Sequence, residues 1–194
     1  YIKRREAPEM VQTVVAVDPA AKSEAGSDET GIVVMGVCAA GIGYVLADES
    51  GKYRPEEWAR RAISLYDTYD ADRIVAEINQ GGEMVEAMVK AAARGRVIPY
   101  RAVTAIKAKQ VRAEPVAALY EQSKIYHVGE YPTLEDQMCS FTVGFDRKAA
   151  GYSPDRVDAL VWAATDLFPS ISRNKAAPLK PVVMMPRAMP AARR

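Results

Sequence analysis

Histidine is almost missing from this sequence. His127 is the only one in 194 residues, and cysteine is limited to Cys38 and Cys139, with no C-x-x-C pair. Zinc sites built from thiolates and imidazoles are thereby nearly excluded. Ser-His and Cys-His catalysis lose most of their routes too, because both need an imidazole oriented beside the nucleophile. The two isolated cysteines read as reduced core residues. No run of eighteen apolar residues exists, and the start, Tyr1-Ile2-Lys3-Arg4-Arg5, has no apolar signal region, so a soluble, non-secreted protein is expected. A Gly-x-x-x-x-Gly-Lys-[Ser/Thr] loop is also lacking, which excludes ATP hydrolysis by that route. The first residue is not Met, and the chain reads as a piece of a longer one. What remains for chemistry is carboxylates.

Charge of one sign is scarce only at the end of the chain. From Ser170 onward there are six basic residues, Arg173, Lys175, Lys180, Arg187, Arg193 and Arg194, and no acidic one. Setting them aside leaves 20 basic against 25 acidic residues, a body of about −5 under a net charge of +1. An acidic body is unusual for a nucleic-acid binder unless several carboxylates converge and are neutralised by divalent ions. The same terminal stretch holds Pro178, Pro181, Pro186 and Pro190. Residues 170–194 are therefore expected to form a basic, proline-rich, flexible tail, after a linker end at 1–10 and one domain at 11–169.

Within the domain, Val11 to Val17 is rich in β-branched residues and closes at Asp18-Pro19, where proline forbids continuation as a central strand. A polar loop, Ala21 to Thr30, leads to strands at Gly31 to Val37 and Gly43 to Ala47, making an antiparallel meander. Pro55-Glu56-Glu57 opens a helix reaching about Asp70. Arg73 to Asn79 is a short apolar strand, followed by a helix with Met84, Val85, Met88 and Val89 inward. Val97 to Val103 reads as a strand, Lys109 to Gln122 as a helix, Ile125 to Val128 as a short strand, and Leu134 to Phe141 as one or two helical turns. Ser153-Pro154-Asp155 supplies a cap residue and first turn for a last helix, with Val157, Leu160, Val161, Ala164 and Leu167 on its apolar face. Strand-helix alternation after a meander implies an α/β fold: a mixed sheet with right-handed crossovers and helices on both faces.

Three positions carry a carboxylate where packing alone would avoid one. Asp18 ends the first strand, Glu77 lies inside Ile-Val-Ala-Glu-Ile, and Asp158 sits among Val157, Leu160, Val161 and Trp162. Asp155 shares a helical face with Asp158 at spacing i, i+3. Burying an unpaired carboxylate is costly. No single Lys or Arg is placed by sequence to pair with all of these acids, whereas a divalent cation satisfies the set. Oxygen ligands without histidine or thiolate select Mg²⁺ or Mn²⁺, hard ions that take up phosphate oxygens. Two such ions suit phosphoryl transfer, where both the attacking oxygen and the departing 3′ oxygen need stabilising.

At these same residues the chain resembles the nuclease domain of viral large terminase subunits, in the ribonuclease H-like superfamily that also contains Holliday-junction resolvases. The resemblance rests on Val-Val-Ala-Val-Asp18-Pro-Ala, Ile-Val-Ala-Glu77-Ile-Asn and Ser-Pro-Asp155-Arg-Val-Asp158-Ala-Leu-Val-Trp-Ala, and spans about Val11 to Phe168. It implies a ribonuclease H-like, five-stranded mixed sheet and a divalent-metal-dependent endonuclease that cuts concatemeric viral DNA during genome packaging. It maps catalytic and metal-ligand roles onto Asp18, Glu77, Asp155 and Asp158, leaving open which of the last two is the primary ligand, and places Asp28 near the site. Double-stranded DNA, the terminase ATPase domain, the portal protein and the small terminase subunit are the implied partners, in the cytoplasm of a bacterial host. Lys107, Lys109, Arg112, Arg147 and Lys148, in loops or helix starts, are candidate DNA contacts. Two alternatives stay open: a resolvase or ribonuclease H-type nuclease on the same fold, and a non-catalytic packaging or portal-docking module.

Overall fold

The computed structural model describes residues 2–20, 29–78, 82–105, 108–141, 145–171 and 180–182. Strands β1 (Met10–Asp18), β2 (Gly31–Cys38) and β3 (Gly43–Asp48) form the expected meander, followed by α1 (Pro55–Thr68), β4 (Arg73–Glu77), α2 (Gly82–Ala93) and β5 (Ile98–Val103). Then come α3 (Lys109–Glu121), β6 (Ile125–His127), α4 (Pro132–Ser140), α5 (Arg147–Ala150), α6 (Asp155–Leu167) and β7 (Lys180–Val182).

Among the described residues the mixed sheet has seven strands rather than five, in the order β6-β3-β2-β1-β4-β5-β7. The two beyond five lie at its edges: the short strand expected at Ile125 to Val128, and β7. β6 runs parallel to β3, and β7 pairs antiparallel with β5 through Ile98 opposite Val182. A three-residue edge strand carries too short a hydrophobic pattern to be assigned to a sheet from sequence, and β7 comes from a stretch whose composition gave no strand signal.

Alternation along the central strands sends side chains to two separate cores. Val14, Ala16 and Val75 join α3, α4 and α6 on one face, while Val15, Val17, Ile74 and Ala76 join α1 and α2 on the other. Both faces being covered explains why β2 is buried along its whole length. Three local expectations fail. Met84 is 54% exposed, one position off the inward stripe of α2 that Val85 and Val89 define. Cys139 is exposed, and only Cys38 is a core residue. Ser153 does not cap α6: it is buried one position too early, and Pro154 occupies the cap without a side-chain cap hydrogen bond.

Two features fix the start of α6 over the sheet. A Cβ at Gly31 would lie 2.0 Å from the Asp155 carbonyl oxygen, so only glycine lets helix and strand approach this closely. Arg156 then ties the first turn down, its Nε donating to Glu29 Oε2 (2.8 Å) and its Nη1 to Asp48 Oδ2 (2.7 Å).

Candidate metal centre

Register decides which acids meet. β1 and β4 are parallel neighbours, paired from Val14 opposite Arg73 to Val17 opposite Ala76, so the next pair along is Asp18 beside Glu77. Alternation turns both toward the α6 side of the sheet. There the first turn of α6 brings in Asp155 and Asp158, both buried. Asp18, Asp155 and Asp158 each offer a carboxylate oxygen within 4.8 Å of the others. Glu77 stands beside this trio, held by the indole of Trp162, whose Nε1–H donates to Glu77 Oε2 at 2.7 Å.

Two cations face the acids from the start of α3. The Lys109 ammonium donates to Asp158 Oδ2, and Arg112 Nη2 donates to Asp158 Oδ1 at 3.2 Å. Arg112 Nη1 lies 3.8 Å from Glu77 Oε2, and the guanidinium stacks on the Trp162 ring, 4.3 Å from its centroid. Trp162 thus braces an acid with its edge and a base with its face.

Crowding of acids shows in their protonation. Burial pushes the Asp18 carboxyl well above the usual carboxylate range, and the nearby Asp158, Glu77 and Asp155 push the same way, against Lys109. Burial also raises Asp158, although Lys109 and Arg112 pull it down. Burial alone would lower Lys109, but the attraction of Asp158, Asp18 and Asp155 outweighs it and its pKa is raised.

A raised folded-state pKa means that folded Asp18 keeps a proton that the unfolded chain releases, so this group's contribution to stability is lost as pH rises through the raised value. In EDTA, Asp18→Asn is therefore expected to exceed wild type in urea midpoint near neutrality, and the gap should narrow on acidification and close toward about pH 4, the unfolded aspartate value. A gap independent of pH would show that Asp18 carries no such strain.

The structure brings Asp18, Glu77, Asp155 and Asp158 to one place. Lys109 and Arg112 lie against that cluster, Lys109 partly exposed and Arg112 largely enclosed, while Arg147 and Lys148 are exposed on α5. Asp28 and Lys107 lie outside the described residues. Sequence reasoning missed the rest of the polar seam under α6. Asp166 is buried and accepts from Arg73 Nε (2.7 Å) and from Arg101 Nη1. The spacing Asp158, Trp162, Asp166 is i, i+4, i+8, one ridge of a helix, which was the available signal.

The donor set passes a chemical test for a hard divalent cation. All four acids offer oxygen only, they converge where burial penalises charge, and their mutual repulsion would be relieved by added positive charge.

A ribonuclease H-like sheet with carboxylates at the ends of β1 and β4 and on the last helix defines a nuclease-type domain. The chain belongs to the terminase RNaseH-like domain family, whose model matches residues 15–167. No curated relative matches by sequence. Among solved structures, the chain is similar to the nuclease domain of the large terminase subunit gp2 of bacterial virus Sf6, with a TM-score of 0.59, 17% identity, and 79% of this chain and 88% of that one covered. The large terminase nuclease of thermophilic phage G20c, with bound zinc, gives a TM-score of 0.56 at 17% identity over 84% of this chain and 92% of that one. The manganese-soaked terminase nuclease domain of human cytomegalovirus gives 0.56 at 14% identity over 82% and 83%. At these identities the likeness establishes the fold. No helix among the described residues is long and apolar enough to cross a membrane.

Proposed function

We propose that this domain is the divalent-metal-dependent endonuclease of a large terminase, cutting concatemeric viral DNA during genome packaging. The observation that carries this reading is the trio of buried carboxylates, Asp18, Asp155 and Asp158, with mutually close oxygens and Glu77 alongside.

Asp18, Glu77, Asp155 and Asp158 would hold Mg²⁺ or Mn²⁺, in a two-ion arrangement. When bound, these ions supply the Lewis-acid charge for phosphodiester hydrolysis. Water adds to phosphorus, the bond to the 3′ oxygen breaks, and the proton gained by that oxygen leaves a 3′-hydroxyl and a 5′-phosphate. The chain contributes position: parallel pairing of β1 with β4 sets two ligands, the first turn of α6 sets the others, and Trp162 orients Glu77.

In this reading residues 11–169 are the nuclease domain, 1–10 the end of a linker and 170–194 a basic tail. Lys107, Lys109, Arg112, Arg147 and Lys148 contact DNA phosphates, and Asp28 stands near the site. The terminase ATPase domain, the portal protein and the small terminase subunit are its partners, in the host cytoplasm.

The test is cleavage of supercoiled plasmid in EDTA, Mg²⁺ or Mn²⁺, with duplex, four-way-junction and RNA–DNA substrates compared. Metal-dependent cutting of plasmid and duplex is expected. Preference for the junction or the hybrid would transfer the domain to the resolvase or ribonuclease H reading. No cutting by demonstrably folded protein under any metal would favour a non-catalytic docking module.

A further inference from the structure

Arg112 is an enclosed cation with unused donors. Its side chain is only 10% exposed, yet its Nε and Nη1 groups find no hydrogen-bond acceptor among the described residues. The one donor in use goes to Asp158 Oδ1, at 3.2 Å. A guanidinium offers five N–H donors in a planar fork, and buried donors without acceptors are rare in folded proteins. Stacking on Trp162 fixes the plane of that fork at the rim of the carboxylate cluster.

We propose that Arg112 couples metal binding to DNA binding, holding the carboxylates while no metal is present and turning to a backbone phosphate once metal takes them. This rests on the reading of the site as a metal-dependent nuclease. A divalent ion ligated by Asp158 removes Arg112's hydrogen-bond partner and sets a second cation against it at low dielectric. Lys109 can escape this conflict, because its side chain is 39% exposed and its stem is flexible. Arg112, only 10% exposed and stacked on Trp162, has little access to solvent, so metal binding to the protein alone leaves a largely enclosed guanidinium short of acceptors. A phosphodiester oxygen is the acceptor that fits: it is anionic, it accepts from the planar fork, and the strand being cut carries it to the metal site. Metal without DNA then binds weakly, DNA without metal leaves Arg112 engaged elsewhere, and the two together satisfy every group. By linkage the enhancement is the same whichever partner binds first.

Mn²⁺ binding is to be measured from the free-Mn²⁺ electron paramagnetic resonance signal, with and without a short duplex bearing cleavage-resistant phosphorothioate linkages. For wild type the duplex is expected to tighten Mn²⁺ roughly tenfold, within the usual range of coupling between sites. Arg112→Gln, shown folded by its melting curve in EDTA, should bind Mn²⁺ about tenfold more tightly than wild type in the absence of DNA and lose most of the enhancement. Arg112→Lys, which keeps the charge but not the fork, should bind Mn²⁺ alone as weakly as wild type and also lose the enhancement. If wild type binds Mn²⁺ equally with and without DNA, the coupling is absent whether or not the variants fold. If Arg112→Gln retains the wild-type enhancement, another residue carries it and the proposal fails. Wild type that neither binds Mn²⁺ nor cuts DNA with it would instead remove the nuclease reading itself.

Discussion

Asparagine at position 18 is expected to reduce metal-dependent cleavage by at least about a thousandfold while leaving the melting temperature in EDTA unchanged or higher. The first half follows from the ligand role: charge stabilisation by a catalytic ion is worth several kcal/mol, and each 1.36 kcal/mol is a factor of ten, so losing an ion ligand costs about three orders of magnitude or more. The second half follows from the geometry. Asp18 is buried within reach of three other acids, a setting that disfavours its charged form, and the neutral amide has nearly the same shape. Activity and stability thus move in opposite directions, a signature that a structural carboxylate does not give. Plasmid cleavage in Mg²⁺ and Mn²⁺ beside a thermal melt in EDTA reads both. A variant that loses several degrees yet still cuts would remove Asp18 from the proposed site.

The largest stability loss is expected from a different acid, Asp166→Ala. Asp166 accepts from Arg73 and Arg101 beneath α6, and Arg73 and Asp166 are both buried. Removing the carboxylate leaves two largely enclosed guanidiniums without their shared counter-ion. Breaking a buried pair from one side in this way costs about 3–5 kcal/mol. Urea denaturation should report a loss in that range, with Mn²⁺ affinity at low temperature little changed because Asp166 lies two helical turns from Asp158. A loss below about 1 kcal/mol would mean that water reaches the pair and the seam is not sealed.

How far the sequence disclosed this site depends on the range of the interaction involved. Asp18 was legible because a β-branched run halted by Asp-Pro is a local pattern, and Glu77 because an apolar strand made its charge conspicuous. Asp155 and Asp158 were legible through helical spacing. That β1 lies parallel to β4, so that Asp18 and Glu77 point the same way, is set by long-range pairing and could be approached only through strand-helix alternation and family resemblance. That Lys109 and Arg112 bond Asp158 itself was hidden for the same reason: a basic residue at a helix start looks alike from sequence whether that helix begins over solvent or over a cluster of acids. Trp162 stood in plain view as an apolar neighbour of Asp158, but its indole N–H, the part that matters, has a partner 85 residues away. Asp166 lay on the ridge that marked Asp158, yet without knowing that Arg73 and Arg101 sit under it, one more acid near a helix end carries no message.

The two ends of the sheet bear on how other proteins can hold this domain. At one end Lys3, Arg4 and Arg5 run along β6: His127 N–H donates to the Lys3 carbonyl (2.9 Å), Arg5 N–H to the His127 carbonyl (3.0 Å), and Arg4 pairs with Glu135 (2.6 Å). At the other end β7 occupies the outer side of β5. These two segments cover the outer sides of β6 and β5, so strand addition to either of those strands is shut out while the segments stay in place. A partner that pairs with β6 or β5 would first have to peel one of them away.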